Sequence, residues 1–250
     1  MKAIGHRGAS AHALENTKHS FELARLLGVD AIELDVRKTK DNYLVVCHDA
    51  DIGRISHRSD RISSLTLKEL QGITLRDGKS SVPTLAEILT VLGDVPVIIE
   101  LKENDCEKEL LNVLRKYPKT NATVASFKLE VLARLREMDP EIRLFGLERT
   151  KPLDIIIAAQ DLKLNGVGLN FWLLNPLTYW WARKSNLDMY VYTVNSRMIG
   201  RFIRLLYPLA AICTNHPEWF IKDYPLTDSD SSTKRLKKAL HTLKKQDKSR

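Results

Sequence analysis

The chain has 250 residues, of which 44% are hydrophobic and 28% charged, and this balance excludes an intrinsically disordered protein. No apolar run approaches the roughly 18 residues of a membrane-spanning helix, and three widely spaced cysteines indicate neither a disulfide framework nor a structural zinc site. The formal net charge is +8. Six lysines and two arginines against one aspartate in residues 233–250 supply +7 of it, so the rest of the chain is close to neutral.

Short β-branched runs alternate with longer amphipathic segments, which predicts strand–helix units and a parallel sheet. Eight strands are predicted, at Lys2–Gly5, Ala31–Val36, Val95–Lys102, Ala122–Phe127, Ile142–Leu147, Gly166–Asn170, Met189–Asn195 and Ala210–Thr214. Helices are predicted between them, including Thr17–Leu27, Leu85–Leu92 and Lys128–Met138. Eight such units in about 220 residues favour an α/β fold of the (β/α)8 TIM-barrel type.

One region interrupts this alternation. Leu44–Cys47 is a short extended run after the second strand, and residues 49–82 contain three glycines and one short predicted helix, Thr66–Gln71. We expect an insertion between the second strand and its helix, a barrel domain over residues 1–225 and a basic tail over 226–250. The alternative is an open doubly wound sheet, which the lack of a glycine-rich phosphate-binding turn after the first strand disfavours.

Acidic residues share one face of two predicted strands. The two-residue period of a strand sends Glu33 and Asp35 to one side, and Glu100 and Lys102 likewise point together at the end of the next barrel strand. Buried carboxylates repel one another and need a positive partner. Because hard oxygen ligands favour Mg²⁺, Ca²⁺ or Mn²⁺, we predict that the three carboxylates bind one divalent cation. Surface charges on an edge strand are the alternative.

Two histidines end strand-like runs, His6 after the first strand and His48 after Leu44–Cys47. Histidine exchanges protons near neutral pH, so two of them can act as general base and general acid across one bond. Arg7 and Lys102 add fixed positive charge that suits phosphate oxygens. This combination predicts phosphodiester cleavage, whereas each histidine alone is equally well explained as a hydrogen-bonded residue at the rim.

The sequence resembles the glycerophosphodiester phosphodiesterase family from about Ile4 to Phe220. The motifs that carry the resemblance are Gly5-His6-Arg7-Gly8, Glu15-Asn16-Thr17, Glu33-Leu34-Asp35-Val36, His48-Asp49 with Arg54, Val82-Pro83-Thr84-Leu85 with Glu87, Glu100-Leu101-Lys102 and Val191-Tyr192-Thr193-Val194-Asn195. Family members usually have Pro where this chain has Leu14, often Trp where it has Tyr192, and commonly Asp where it has Asn215.

The resemblance implies a TIM barrel that hydrolyses glycerophosphodiesters to sn-glycerol 3-phosphate and an alcohol with a bound divalent cation. His6 and His48 would then be the acid/base pair. The resemblance also implies metal ligation and substrate contact by further residues. The implied metal ligands are Glu33, Asp35 and Glu100, and the implied residues of the substrate pocket are Arg7, Lys102, Glu15, Asn16 and Tyr192.

Two other functions stay open. A lysophospholipase D-like phosphodiesterase acting at a membrane surface is favoured by an aromatic segment around Trp172, Trp180 and Trp181 and by the basic tail. A non-catalytic barrel that binds phospholipid head groups or a partner protein is the second. It has no need of two proton-transfer groups, so the presence of both histidines argues against it.

The basic tail places Leu236, Ala239, Leu240 and Leu243 at helical spacing among lysines. This pattern is typical of an amphipathic helix on an anionic membrane, and a solvated, disordered extension is the alternative. No nucleic-acid partner is expected, because the near-neutral body lacks a basic groove. The N-terminal residues lack the apolar segment of a secretion signal, so we expect a cytoplasmic protein, in contact with the inner face of the membrane if the tail binds lipid.

Overall fold

The computed structural model describes residues 2–221 and 229–248, and there the strands close into a barrel. The strands are β1 (Ala3–His6), β2 (Ala31–Lys38), β3 (Leu44–Val46), β4 (Val97–Leu101), β5 (Ala122–Ser126), β6 (Leu144–Glu148), β7 (Gly166–Asn170), β8 (Asp188–Tyr192) and β9 (Ala211–Thr214). All but β3 pair in parallel, in the order β1, β9, β8, β7, β6, β5, β4, β2, and β2 pairs back onto β1. The predicted TIM barrel is confirmed, with β3 added antiparallel to β2.

Helices lie in the connections between the strands, and one more follows β9. They are α1 (Lys18–Leu27), α2 (Leu67–Gln71), α3 (Leu85–Leu92), α4 (Glu107–Lys116), α5 (Leu129–Met138), α6 (Pro152–Asp161), α7 (Pro176–Lys184), α8 (Arg197–Leu206) and α9 (Ser229–Lys248). Side-chain caps fix several of their starts. The Thr17 hydroxyl accepts the Ser20 N–H, and Thr84 and Glu87 form a reciprocal capping box. The Thr84–Glu87 motif, which contributes to the family resemblance, is therefore a helix start.

The two-residue period of the strands separates an outer apolar layer from the barrel interior. On β2, Ile32, Leu34 and Val36 are fully buried against the helices, while Glu33 and Asp35 point inward. The lower interior is filled by apolar side chains, among them Ile4, Ile98, Ala125, Phe145, Leu147, Tyr190 and Cys213. The polar residues of the barrel therefore lie above this packing, at the carboxyl ends of the strands.

The predicted insertion follows β3 and has a small core of its own. Its buried side chains are Val45, Cys47, Ile52, Ile55, Ile62, Leu70, Ile73, Leu75 and Val82. The Cys47 thiol packs in this cluster, and burial followed by the nearby Asp35 charge raises its pKa to about 12. The thiol is therefore a small buried apolar group at neutral pH.

Some element boundaries differ from the predictions. Strand β4 begins at Val97, because Pro96 before it has no N–H to donate to a sheet. Strand β8 ends at Tyr192, although the Val194 N–H still donates to Cys213 O at 2.9 Å. The expected boundary between barrel and tail, at residues 225–226, lies outside the described residues.

Helix α9 packs its apolar side onto the barrel. Ala239 and Leu243 are buried in the main core, and α9 contacts α1. Lys237, Lys238 and Lys244 are exposed, so any contact of α9 with an anionic membrane would be made by lysines, and that contact stays a prediction. In the described residues, no helix is long and apolar enough to cross a membrane.

Candidate active site

A cavity of about 260 Å³ opens at the carboxyl ends of the barrel strands. A wider cleft of about 740 Å³ adjoins it and runs over the insertion. The cavity and the cleft share His48, Glu100, Lys102, Phe127 and Arg149. The remaining predicted residues of the cavity wall are His6, Arg7, Glu33 and Tyr192. These residues from separate motifs thus meet at one opening, where barrel enzymes carry their chemistry. The predicted residues Asp35, Glu15 and Asn16 do not line the cavity or the cleft.

Three buried carboxylates form the floor of the site. Strand register sets Asp35 directly opposite Glu100, and one oxygen each of Glu33, Asp35 and Glu100 lie within 4.8 Å of one another. Lys102 Nζ lies between two of them, 2.9 Å from Asp35 Oδ1 and 2.6 Å from Glu100 Oε1. Arg7 Nε lies 3.0 Å from Asp35 Oδ2. Two cations therefore lie among three carboxyl groups.

The crowding of these carboxyl groups shifts their pKa values. Burial, with Asp35 and Glu100 close by, raises the pKa of Glu33 well above its usual range. Burial and Asp35 raise the pKa of Glu100 to about 7. Burial also acts to raise the pKa of Asp35, but Lys102 and Arg7 outweigh it and hold that pKa below its usual range. Two of the three groups therefore resist ionisation near neutral pH.

The donor set fits a hard divalent cation. All three groups are oxygen donors, they converge without backbone rearrangement, and two of them carry repulsion that additional positive charge would relieve. Mg²⁺, Ca²⁺ and Mn²⁺ prefer such oxygen ligands, whereas zinc favours nitrogen and sulfur.

His6 is held by the loop that follows β9. Its Nδ1–H donates to Asn215 Oδ1 at 2.7 Å, which leaves Nε2 free, 4.0 Å from Glu33 Oε2. Burial, followed by the charge of Arg7, lowers the pKa of His6 to about 4. The imidazole is therefore neutral at physiological pH, with an unprotonated nitrogen toward the carboxylates.

His48 has a different partner, because its Nδ1–H donates to the Asp49 carboxylate at 2.7 Å. Arg54 extends this contact, with Nε 2.6 Å from Asp49 Oδ2 and both terminal nitrogens on Glu15 at 2.8 and 2.7 Å. Burial, together with the charges of Lys102 and Arg7, lowers the pKa of His48, although Asp35 and the hydrogen bond to Asp49 act in the opposite direction. A carboxylate on Nδ1 stabilises an imidazolium in a way that the Asn215 amide cannot.

The Glu15-Asn16-Thr17 motif joins the site to the first helix. Glu15 accepts from Arg7 at 2.9 Å as well as from Arg54, and the Asn16 amide donates to Asp35 Oδ2 at 2.9 Å. Thr17 then caps α1. Each residue of the triplet therefore has a separate task, and Glu15 and Asn16 position charged groups.

Several residues of the site were not predicted to have a role. Asp49 and Arg54 belong to a motif of the family resemblance, and Asn215 is a departure from the family pattern. Asn215 and Asp49 contact the two histidines, and Arg54 contacts Asp49. Arg149, which lies 4.3 Å from the Phe127 ring centroid, and Asn170 line the cavity. Phe127, Arg149 and Asn170 sit at or just after the ends of β5, β6 and β7, so the rule that barrel chemistry lies at strand ends would have found them.

The predicted pocket residue Tyr192 lines the cavity, and its hydroxyl donates to Glu148 O at 2.8 Å. The fold and the site together now indicate a class of enzyme. Two histidines facing buried carboxylates and fixed cations at the open end of a (β/α)8 barrel are the arrangement of a phosphodiester hydrolase. The sequence comparison identifies the family, because the glycerophosphoryl diester phosphodiesterase family model matches residues 6–219, and the chain belongs to that family.

Individual relatives of the chain have names that agree with this family. A glycerophosphodiester phosphodiesterase of Caldanaerobacter subterraneus is 31% identical over 236 residues, which cover 87% of this chain and 95% of that protein. The crystal structure of a Thermotoga maritima glycerophosphodiester phosphodiesterase superposes with a TM-score of 0.78 at 26% identity, over 88% of this chain and 97% of the other. A human lysophospholipase D is 30% identical over 164 residues, 59% of this chain and 52% of its own length.

The substitution Asn215→Asp should raise the pKa of His6 from about 4 by one unit or more, because it places a negative charge against Nδ1. NMR titration of the His6 ring protons in the metal-free protein measures this pKa. The spectrum of His6→Ala, which lacks these signals, identifies them. Asn186→Asp, with the same charge change on the loop that enters β8, should leave the His6 titration in place. An unmoved His6 titration in Asn215→Asp would contradict the contact.

The substitution Glu33→Gln should stabilise the metal-free protein. A buried carboxyl whose pKa is raised by folding destabilises the protein increasingly as the pH rises toward that pKa. The substitution should therefore increase the free energy of unfolding by about 1 kcal/mol or more at pH 8, roughly 2–4 °C in Tm. This increase should vanish near pH 4, where the carboxyl is protonated in both states. Thermal unfolding at both pH values measures it. Glu137→Gln, at an exposed position of α5, serves as control. Equal Tm changes for the two variants at pH 8 would show that the cluster is not strained.

Proposed function

We propose that the chain hydrolyses glycerophosphodiesters to sn-glycerol 3-phosphate and an alcohol, with one divalent cation bound by Glu33, Asp35 and Glu100. One observation carries the proposal. The Nδ1 atoms of His6 and His48 are engaged by other residues, and both histidines line the same cavity as Glu33 and Glu100. The names of the relatives support the same substrate class.

The two histidines differ in their Nδ1 partners, and this difference supports separate roles in the proposed reaction. His6, neutral and hydrogen-bonded to an amide, is the general base and takes the proton of the attacking oxygen, which belongs to water or to a hydroxyl of the substrate. His48, paired with the Asp49 carboxylate, is the general acid and gives its proton to the departing alcohol oxygen. One phosphorus–oxygen bond forms as the other breaks, and one water is consumed overall.

Fixed charge is the second contribution of the chain. Asp35 raises the pKa values of Arg7 and Lys102 against the effect of burial, so both stay protonated. They would attract the phosphate and offset charge on its oxygens as the bonds change. A divalent cation bound by the three carboxylates would supply Lewis-acid polarisation of the phosphoryl group. Glu15 and Asn16 keep Arg7 and Asp35 in position.

Release of glycerol 3-phosphate from glycerophosphocholine and glycerophosphoethanolamine tests the proposal. EDTA should abolish release, and Mg²⁺, Ca²⁺ or Mn²⁺ should restore it. His6→Ala and His48→Ala should each lower kcat by about 100-fold or more, because general acid–base catalysis contributes on that order. His57→Ala, an exposed histidine of the insertion, is the matched control.

A phosphodiester with a nitrophenol leaving group distinguishes the general acid from the general base. Nitrophenolate departs without a proton, so this substrate does not need the general acid. His48→Ala should recover most of its rate on this substrate, and His6→Ala should stay slow. Recovery by His6→Ala alone would reverse the assignment. Near-normal turnover of both variants on glycerophosphocholine would remove it. A folded protein that releases nothing with any metal would favour the non-catalytic barrel.

A second candidate, hydrolysis of lysophospholipids, is favoured by the rim of the site. Trp172 is 76% exposed and lies two residues after Asn170, which lines the cavity. Its ring lies 4.4 Å from that of Phe171, and Leu177 and Trp180 on α7 are also exposed. This apolar rim suits an acyl chain, and the human lysophospholipase D is a relative of the chain.

The substitution Trp172→Ala should raise the KM for lysophosphatidylcholine several-fold and leave glycerophosphocholine turnover unchanged, because only the lysolipid has an acyl chain to contact the ring. Steady-state kinetics on both substrates measure the difference. Met198→Ala, at another exposed apolar position, serves as control. If Trp172→Ala affects both substrates equally, the rim has no part in acyl recognition.

A further inference from the structure

A second group of metal-ligating side chains lies where two loops meet. His12 belongs to the loop after β1, and His216 and Glu218 directly follow β9. Strands β1 and β9 are parallel neighbours, and the Ala11 N–H donates to Asn215 O at 3.1 Å, so the two loops are joined. These three residues have no part in the proposed reaction.

The three side chains converge on one point. His12 Nε2 is 3.0 Å and His216 Nδ1 is 3.3 Å from the same oxygen, Glu218 Oε1. One ligand atom from each side chain lies within 4.8 Å of the other two. Ligands at about 2.1 Å from a tetrahedral metal stand roughly 3.4 Å apart. The spacing therefore needs only small side-chain rotations to close around an ion.

Burial makes this arrangement costly without a positive partner. Glu218 is only 3% exposed, and its Oε1 is hydrogen-bonded to His216 Nδ1 at 3.3 Å. Among the described residues, neither Glu218 Oε2 nor His12 Nε2 has a hydrogen-bond partner. The 3.0 Å contact of His12 with Glu218 is thus close but not aligned as a hydrogen bond, as expected of two ligands aimed at a shared point.

The surroundings hold the imidazoles in place. The His216 ring stacks on Trp219 with centroids 3.9 Å apart and planes 1° from parallel. Arg197 lies 5.0 Å from the Trp219 ring centroid, and the His216 N–H donates to Thr214 Oγ1 at 3.0 Å. His12 meets the His216 ring edge-on at 5.4 Å. This orientation exists before any ion binds.

We propose that His12, His216 and Glu218 form a second metal site, for a transition-metal dication of the Zn²⁺ type. Two imidazoles and one carboxylate, with a fourth position open to water, match the ligand chemistry of Zn²⁺ and Co²⁺ and not that of Mg²⁺ or Ca²⁺. The ion would fasten the loop after β1 to the loop after β9. The site is chemically distinct from the all-oxygen cluster of Glu33, Asp35 and Glu100.

Metal titration of the full chain tests the site directly. Protein stripped with a chelator is equilibrated with excess Mg²⁺, which occupies all-oxygen ligands, and is then titrated with Zn²⁺ by calorimetry and with Co²⁺ by visible absorption. One equivalent of Zn²⁺ should bind, and Co²⁺ should give the intense visible bands of a low-symmetry nitrogen-containing site. The three cysteines are buried and do not compete.

Matched variants locate the ion. His12→Ala, His216→Ala and Glu218→Gln should each weaken Zn²⁺ binding by at least about tenfold, since even the loss of an outer partner costs that much. His57→Ala and Glu100→Gln should bind Zn²⁺ as the parent does, which separates this site from exposed histidines and from the acidic cluster. Circular dichroism checks that each variant is folded.

Two results would overturn the proposal. One is the lack of stoichiometric Zn²⁺ binding by the unaltered protein, which needs no variant to interpret. The other is a Zn²⁺ affinity that survives the loss of His216 and of Glu218, or that falls in Glu100→Gln instead. Because the readout is binding and not turnover, failure of this proposal is independent of the proposed hydrolysis.

Discussion

Repulsion among three carboxylates held within 4.8 Å is the constraint on which the rest of the site depends. Strand pairing fixes Asp35 against Glu100, so these side chains cannot separate. Arg7 and Lys102 lie beside these carboxyl groups and offset their repulsion. Arg7 is in turn held by Glu15. Arg54 also contacts Glu15 and pairs with Asp49, which in turn contacts His48. The orientation of His48, which directly precedes the insertion, is thus linked, contact by contact, to the barrel floor.

The motifs of the family resemblance divide between chemistry and folding. Gly8 has a φ of +88°, and a Cβ there would lie 2.3 Å from Ser20 Oγ, so glycine lets the first loop approach α1. That approach brings Asn16 to Asp35. Thr17 and Thr84 begin helices. A substitution at these positions would reduce activity by displacing the charged residues, whereas a substitution of His6 would leave their geometry intact.

Much of this could be predicted from the sequence, because it rests on local periodicity. Alternation along β2 placed Glu33 and Asp35 on the inner face, and the ends of strands marked His6 and Glu100. The contacts of Asn215 with His6 and of Arg54 with Glu15 join residues 209 and 39 positions apart, and no local pattern reports them. The convergence of His12 with His216 was missed for the same reason, since each residue alone is an ordinary loop histidine.

The packing of the insertion has a consequence for how the enzyme would lose function. His48 is carried by a segment whose apolar cluster is separate from the main core of the barrel. Small cooperative units of this kind open with a lower free energy than the whole domain. If His48 has the proposed role, inactivation on warming should precede the melting of the barrel, and amide exchange in residues 49–82 would report the fraction of molecules able to react. In that case a minor unit of the fold, and not its largest core, would limit the temperature at which the protein works.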